Sequence, residues 1–170
     1  NEPYPNRHVI LSHTLSRMGV LNTVAVAYRA EVFPLKQRFD YILADVPCSG
    51  EGTFRMTSKR SKYIEREGKA RLPELQKRIL LRAFDLLKEN GQLIYSTCTY
   101  NPDENESVVG FLLHNRDAEL LSVDLDVQHE PGLREWGKAG YDREIHRAAR
   151  FYPHQLNSVG FFMARIGRRG

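Results

Sequence analysis

The sequence lacks most of what would mark a secreted or membrane-spanning protein. Its 170 residues include two cysteines, Cys48 and Cys98, too few for a disulfide framework. No CxxC or HxxxH pair occurs, so the ligand spacing of a structural zinc site is missing and no metal is expected. No apolar run approaches the roughly 20 residues that cross a bilayer. The first residues, NEPYPNRH, carry no signal-peptide pattern. A reducing cytoplasm with no membrane partner is the expectation. An excess of one charge is also missing: 25 Lys and Arg against 21 Asp and Glu leave +4, which permits a nucleic-acid partner without demanding one. Glycine-rich cofactor loops are absent as well, since the first glycine is Gly19 and no GxGxxG occurs.

What remains is an alternation of helix and strand patterns with no internal repeat. Pro5 to Met18 reads as a helix stopped by Gly19. TVAVA, Thr23 to Ala27, reads as a short strand. FDYILAD, Phe39 to Asp45, reads as a strand apolar on both faces, as in the middle of a parallel sheet. From Leu72 to Gly91 the apolar positions 72, 75, 79, 83, 86 and 87 mark a helix with Asn90-Gly91 as its stop. QLIYST, Gln92 to Thr97, is the next strand, and Asp103 is expected to open a helix carrying Val108, Val109, Phe111, Leu112 and Leu113. AELLSVD and VGFFMARI read as two further strands, and the polar stretch from Gln128 to Tyr152 has no assignment. The order predicts one α/β domain built on a mostly parallel sheet.

Both cysteines stand where such a sheet binds ligands, just outside the carboxyl ends of strands. Asp45 and Cys48 follow FDYILAD, and Cys98 follows QLIYST. If the two strands are neighbours, about 5 Å apart, the two thiols face one pocket. Other readings compete: cysteine as a small buried apolar residue, a disulfide between strand ends, or a metal ligand. Against them stands the company that Cys48 keeps. Pro47 sets the turn before it, Gly50 and Gly52 let backbone approach a ligand, and Asp45 adds a titratable group.

The stretches DVPCSGEGTFR (Asp45 to Arg55) and STCTYNPDENE (Ser96 to Glu106), in this order, resemble the signature motifs of the Sun-type (Fmu-like) RNA cytosine-C5 methyltransferases. RFYPHQLNSVGFFMARI, Arg150 to Ile166, resembles the closing segment of that family, and the likeness covers nearly the whole chain. It implies a Rossmann-like class I methyltransferase fold with an antiparallel C-terminal strand, S-adenosylmethionine as cofactor and ribosomal or transfer RNA as partner. It also implies roles for residues. Cys98 is the nucleophile, Asp45 meets N3 of the base as a neutral carboxyl kept so by burial, and Cys48 assists release. Glu2, Asp45 and Pro47 line the cofactor, Glu2 towards the ribose hydroxyls. Arg55, Lys59, Arg60, Lys62 and His154 face the RNA. In the DNA cytosine-C5 enzymes a Pro-Cys cysteine attacks instead, which would exchange the roles of Cys48 and Cys98.

The chemistry needs such residues. Carbon 5 of cytosine is a poor nucleophile, and a thiolate adding at carbon 6 turns the ring into an enamine-like one, dividing a hard step in two. The sequence also departs from the family. The glycine-rich loop and the strand before it are missing, so residues 1–170 are expected to be a partial, N-terminally truncated catalytic domain, with Glu2 at an unanchored terminus. Where the family carries an acid for the adenine, this chain has Arg29, with Glu31 two residues on. An inactive methyltransferase-like binding module is therefore the second reading.

The basic stretch from Phe54 to Lys69, with Phe54 and Tyr63 among its charges, reads either as an RNA-approach loop or as a solvated loop. His154 reads either as a substrate contact or as a turn cap, and RIGRRG as a frayed tail. Neutralising Lys59, Arg60 and Lys62 together should lower the slope of log affinity against log salt by about 2–3 for RNA binding, measured across a salt series. An unchanged slope would mean the three make no phosphate contact.

Overall fold

The computed structural model describes residues 1–56 and 71–169, with side chains left undescribed at 54–56. Among the described residues, four α-helices and eight strands follow one another. They are α1 (Pro5–Arg17), β1 (Phe39–Asp45), α2 (Leu72–Asp85), β2 (Leu87–Thr97), α3 (Glu106–Asn115), β3 (Ala118–Leu121), β4 (Glu130–Pro131), β5 (Glu135–Trp136), β6 (Ala139–Gly140), β7 (Ala149–Phe151), α4 (Pro153–Leu156) and β8 (Phe161–Arg168). Among the described residues, no helix is long and apolar enough to cross a membrane.

A six-stranded sheet organises the chain in the order β1-β2-β8-β7-β4, with β3 also on β8. β1 and β2 are parallel, and β8 runs antiparallel to β2, β3 and β7. β1, β2, β3 and β7 therefore point one way and β8 runs against them, the α/β arrangement expected of this chain. β3 and β7 share one side of β8: Leu120 pairs Ile166 near one end, and Ala149 pairs Met163 near the other.

The strand pleat explains the core. Leu93 and Tyr95 of β2 stand beside Ile166 and Ala164 of β8, so one face of the sheet is apolar. Ile79, Leu80, Ala83 and Phe84 of α2, with Val108, Val109 and Leu112 of α3, bury against that face. Tyr95 and Phe162 meet edge to face at 6.3 Å.

Four expectations change. Thr23–Ala27 is not a strand: it has no ladder neighbour among the described residues and bonds to the first residues through Glu2 N–H to the Val26 carbonyl, with Asn1 on the backbone of Tyr28 just after it. β1 is not covered on both faces. It lies at the sheet edge with Tyr41 77% and Leu43 71% exposed, because among the described residues it pairs only with β2. The helix from Leu72 stops at Asp85 rather than at Asn90-Gly91, and those two residues form a bulge inside β2. Phe39↔Leu87 and Tyr41↔Gln92 are successive pairs, two steps along β1 but five along β2. The helix predicted from Asp103 begins at Glu106, after a turn over residues 102–105.

The C-terminal basic residues are also more than a tail. Arg168 donates to the Phe84 and Leu87 carbonyls and lies over the Phe84 ring at 4.6 Å, capping α2 with a cation at its negative end. Arg169 pairs with Glu144. The segment left unassigned, residues 128–152, supplies short strands and Arg150, whose guanidinium grips Glu106 at 2.6 and 2.7 Å. Both side chains are almost fully buried, at 4% and 0% exposure. Removing one partner strands a buried charge. Arg150→Met alone should cost about 3–5 kcal/mol of unfolding free energy in a denaturant titration, with Glu106→Leu added to it recovering much of the loss.

Candidate active site

The site grows from the register of the two parallel strands. Asp45 pairs Ser96 across the β1–β2 ladder, and Val46 N–H continues it to the Ser96 carbonyl. The loops that follow therefore leave the sheet side by side. Their cysteines meet: Cys48 Sγ lies 3.1 Å from Cys98 Sγ, and the Cys98 amide donates to Cys48 Sγ at 3.3 Å. Neither cysteine is in a disulfide, and both are half-buried. The two cysteines thus meet at one place beyond the strand ends.

Hydrogen bonds lace the loops together. Ser49 Oγ donates to Thr99 Oγ1 at 2.9 Å, and Gly52 N–H to the Cys98 carbonyl at 2.9 Å. Gly160 N–H, from the turn before β8, donates to the Gly52 carbonyl at 2.8 Å. The crossing leaves no room for side chains. A Cβ on Gly52 would stand 2.2 Å from the Gly160 carbonyl oxygen, and one on Gly160 would enter the Tyr100 ring. All three resemblance stretches converge here.

Beneath the loops lies a buried polar layer. Glu104, 2% exposed, accepts at Oε2 from Ser49 N–H and from Gln76 Nε2, both at 2.9 Å. Gln76, wholly buried on α2, donates also to the Pro47 carbonyl at 2.8 Å. Two acceptors thus hold its amide nitrogen, and its Oε1 is left without a partner, a cost of about 1–3 kcal/mol. Asn105 accepts from Thr97 Oγ1 and donates to the Thr99 carbonyl. Arg150 donates to the Tyr100 carbonyl as well as to Glu106. The sequence reading missed Glu104 and Gln76. Glu104 lies within STCTYNPDENE with no site role assigned to it, yet its side chain points inward. Gln76 left a signal, a polar residue at the spacing of the apolar stripe of α2.

The remaining candidates scatter. Asp45 accepts from Ser96 Oγ at 3.4 Å but is exposed, not buried, because nothing described covers the outer edge of β1. Pro47 is exposed beside it. Glu2 is anchored rather than loose: its carboxylate accepts from Tyr4 N–H and pairs with Arg7 at 2.9 Å. Arg29 is paired with Glu31. Burial works to raise the Glu31 carboxyl, but hydrogen bonds from its own backbone and from Arg29 bring it below the usual range. Arg55 lies in a 3-10 helix, Glu51–Met56, and Lys59, Arg60 and Lys62 fall outside the described residues. His154 is exposed and ends a ring stack: Tyr100 lies on Tyr152 at 5.8 Å and Tyr152 on His154 at 5.5 Å.

The hydrogen bond with Cys98 pushes the Cys48 thiol far up, burial adds to it, and the Cys98 and Gly50 backbone act against it. Cys48 thus keeps its proton. In the unfolded chain a cysteine loses that proton near pH 8.5. Its contribution to stability is therefore complete below about pH 8.5 and declines as pH rises beyond it. Cys98→Ala removes the first cause, so the alkylation of Cys48, followed by mass spectrometry, should set in at lower pH than in the parent. An unchanged profile would deny the thiol pair.

The chain is similar in sequence and fold to several known proteins. A tRNA (cytosine(49)-C(5))-methyltransferase of Pyrococcus abyssi is 36% identical over 167 residues, covering 98% of this chain and 54% of that protein. A solved methyltransferase homolog protein from Pyrococcus horikoshii superposes with a TM-score of 0.79 at 36% identity, covering 98% of this chain and 51% of its own. NSun6 from Pyrococcus horikoshii, solved with SFG, gives a TM-score of 0.79 at 26% identity over 99% of this chain and 40% of its own. The chain thus spans about half the length of the curated relative from Pyrococcus abyssi. Residues 1–167 match the sequence profile of the family described as 16S rRNA methyltransferase RsmB/F, and the chain belongs to that family.

Proposed function

We propose that the protein containing this chain transfers a methyl group from S-adenosylmethionine to carbon 5 of a cytosine in RNA, with residues 1–170 as part of its catalytic domain. The observation that carries the reading is the meeting of Cys48 and Cys98 at 3.1 Å beyond two parallel strands. The family match and the relative acting on transfer RNA support the substrate class. The NSun6 structure with SFG, an S-adenosylmethionine analogue, supports the cofactor.

The residues present fit that cofactor at two points. Glu2 offers an oriented carboxylate for ribose hydroxyls, and Asp45 with Pro47 forms an exposed strand end beside the thiols. When bound, the cofactor supplies an electrophilic methyl group. The chain's own groups do the rest. Cys98 Sγ, as a thiolate, adds to carbon 6, breaking the C5=C6 π bond, while Asp45 donates a proton to N3 as charge develops there. With its sulfur committed to carbon 6, Cys98 no longer holds the Cys48 proton, and the main cause of the raised Cys48 thiol disappears. Cys48 can then lose that proton to solvent. Its thiolate takes the proton from carbon 5, the C5=C6 bond re-forms, Cys98 leaves as a thiolate, and N3 returns its proton to Asp45. One proton is released per methyl transferred.

The exchanged assignment, with Cys48 attacking, has a clear test. Cys98→Ala should abolish both methylation and any covalent RNA species. Cys48→Ala should lose turnover yet accumulate an RNA adduct that survives denaturing electrophoresis. The opposite pattern reverses the roles, and a pair of mutants that merely unfold together would leave the cysteines structural.

A further inference from the structure

We propose that Glu104 and Gln76 are positioning residues that set Cys48 against Cys98, an inference that rests on the function proposed above. Cys48 is held from both sides. Its preceding carbonyl, at Pro47, accepts from Gln76 Nε2 at 2.8 Å, and the following amide, at Ser49, donates to Glu104 Oε2 at 2.9 Å. Gln76 and Glu104 are themselves joined at 2.9 Å. The four groups close a ring around the Cys48 backbone.

The ring links the two cysteine loops to rigid parts. Gln76 belongs to α2. Glu104 lies six residues beyond Cys98 in the same loop, and its carbonyl accepts from the buried Tyr95 hydroxyl of β2 at 2.6 Å. A shift of either loop would stretch a hydrogen bond in the ring before it moved a sulfur.

Stability alone does not account for this choice. Two residues on, Glu106 is buried against the guanidinium of Arg150. Among the described residues, Glu104 is buried with neutral donors, the Ser49 amide and the Gln76 side chain. Gln76 in turn leaves its own oxygen unpartnered to serve both acceptors. Apolar residues of similar volume would fill the layer at lower cost, but they would not hold Pro47 and Ser49 in place.

The test uses Glu104→Ala and Gln76→Met, with Glu104→Gln as the variant that keeps an acceptor oxygen. Thiol apposition is read without RNA, as the yield of Cys48–Cys98 cross-linking by the bifunctional thiol reagent dibromobimane in the folded fraction. Glu104→Ala and Gln76→Met should lower that yield and cut turnover on the order of 10²-fold, while the RNA adduct through Cys98 still forms and accumulates. Glu104→Gln should restore cross-linking. If Glu104→Ala does not fold, Gln76→Met carries the same comparison. Unchanged cross-linking in folded Gln76→Met, or turnover and adduct falling together in proportion to folded protein, would overturn the proposal. Cys48→Ala, run in parallel, separates the two readings. If it traps no adduct, the role of Cys48 in release fails, whereas the cross-linking yields still decide whether Glu104 and Gln76 position it.

Discussion

The parallel register of β1 on β2 is the constraint on which the site depends. Asp45 opposite Ser96 brings Cys48 and Cys98, 50 positions apart in sequence, to one spot in space. Side chains alternate along a strand, so a slip of one residue would turn Ala44 and Tyr95 away from the core. Burial on the helix-covered face therefore holds the register, and the register holds the thiols. The bulge at Lys88–Gly91 absorbs extra chain before the aligned stretch begins, leaving Tyr41 to Asp45 in step with Gln92 to Ser96.

Below the thiols the protein gives up apolar packing for a polar layer. Glu104, Asn105 and Glu106 are consecutive and all buried, yet each answers a different need. Glu104 takes the amide beyond Cys48, Asn105 bridges Thr97 and the Thr99 carbonyl, and Glu106 pairs with Arg150, which also binds the Tyr100 carbonyl. Such a layer rigidifies when its members are satisfied. It fixes the backbone on both sides of Cys98 while leaving the sulfur half-exposed. The Tyr100–Tyr152–His154 stack extends from the same loop towards solvent.

The two thiols differ although their surroundings are shared. Cys48 accepts a hydrogen bond from the Cys98 amide, and its contact with the Cys98 sulfur pushes its thiol up. Any bond formed at one of the two sulfurs changes the acidity of the other, so the geometry couples the two halves of a reaction.

Much of this was legible in the sequence, and the rest was not, for identifiable reasons. Local patterns determined the alternation of elements, α1, β1, the start of α2 and the strand placement of both cysteines, because periodicity and turn residues act over a few positions. The family-like stretches around Cys48, Cys98 and Arg150 marked the loops that converge. Contacts between distant residues were not readable. Nothing in NPDENE says that Glu104 turns inward to Ser49 and Gln76, or that Arg150 reaches Glu106 across 44 positions. The cap that Arg168 places on α2 was decided the same way. Sequence determines which residues favour which local backbone, whereas burial and pairing depend on what the rest of the chain brings alongside, and that is settled only when the sheet is assembled.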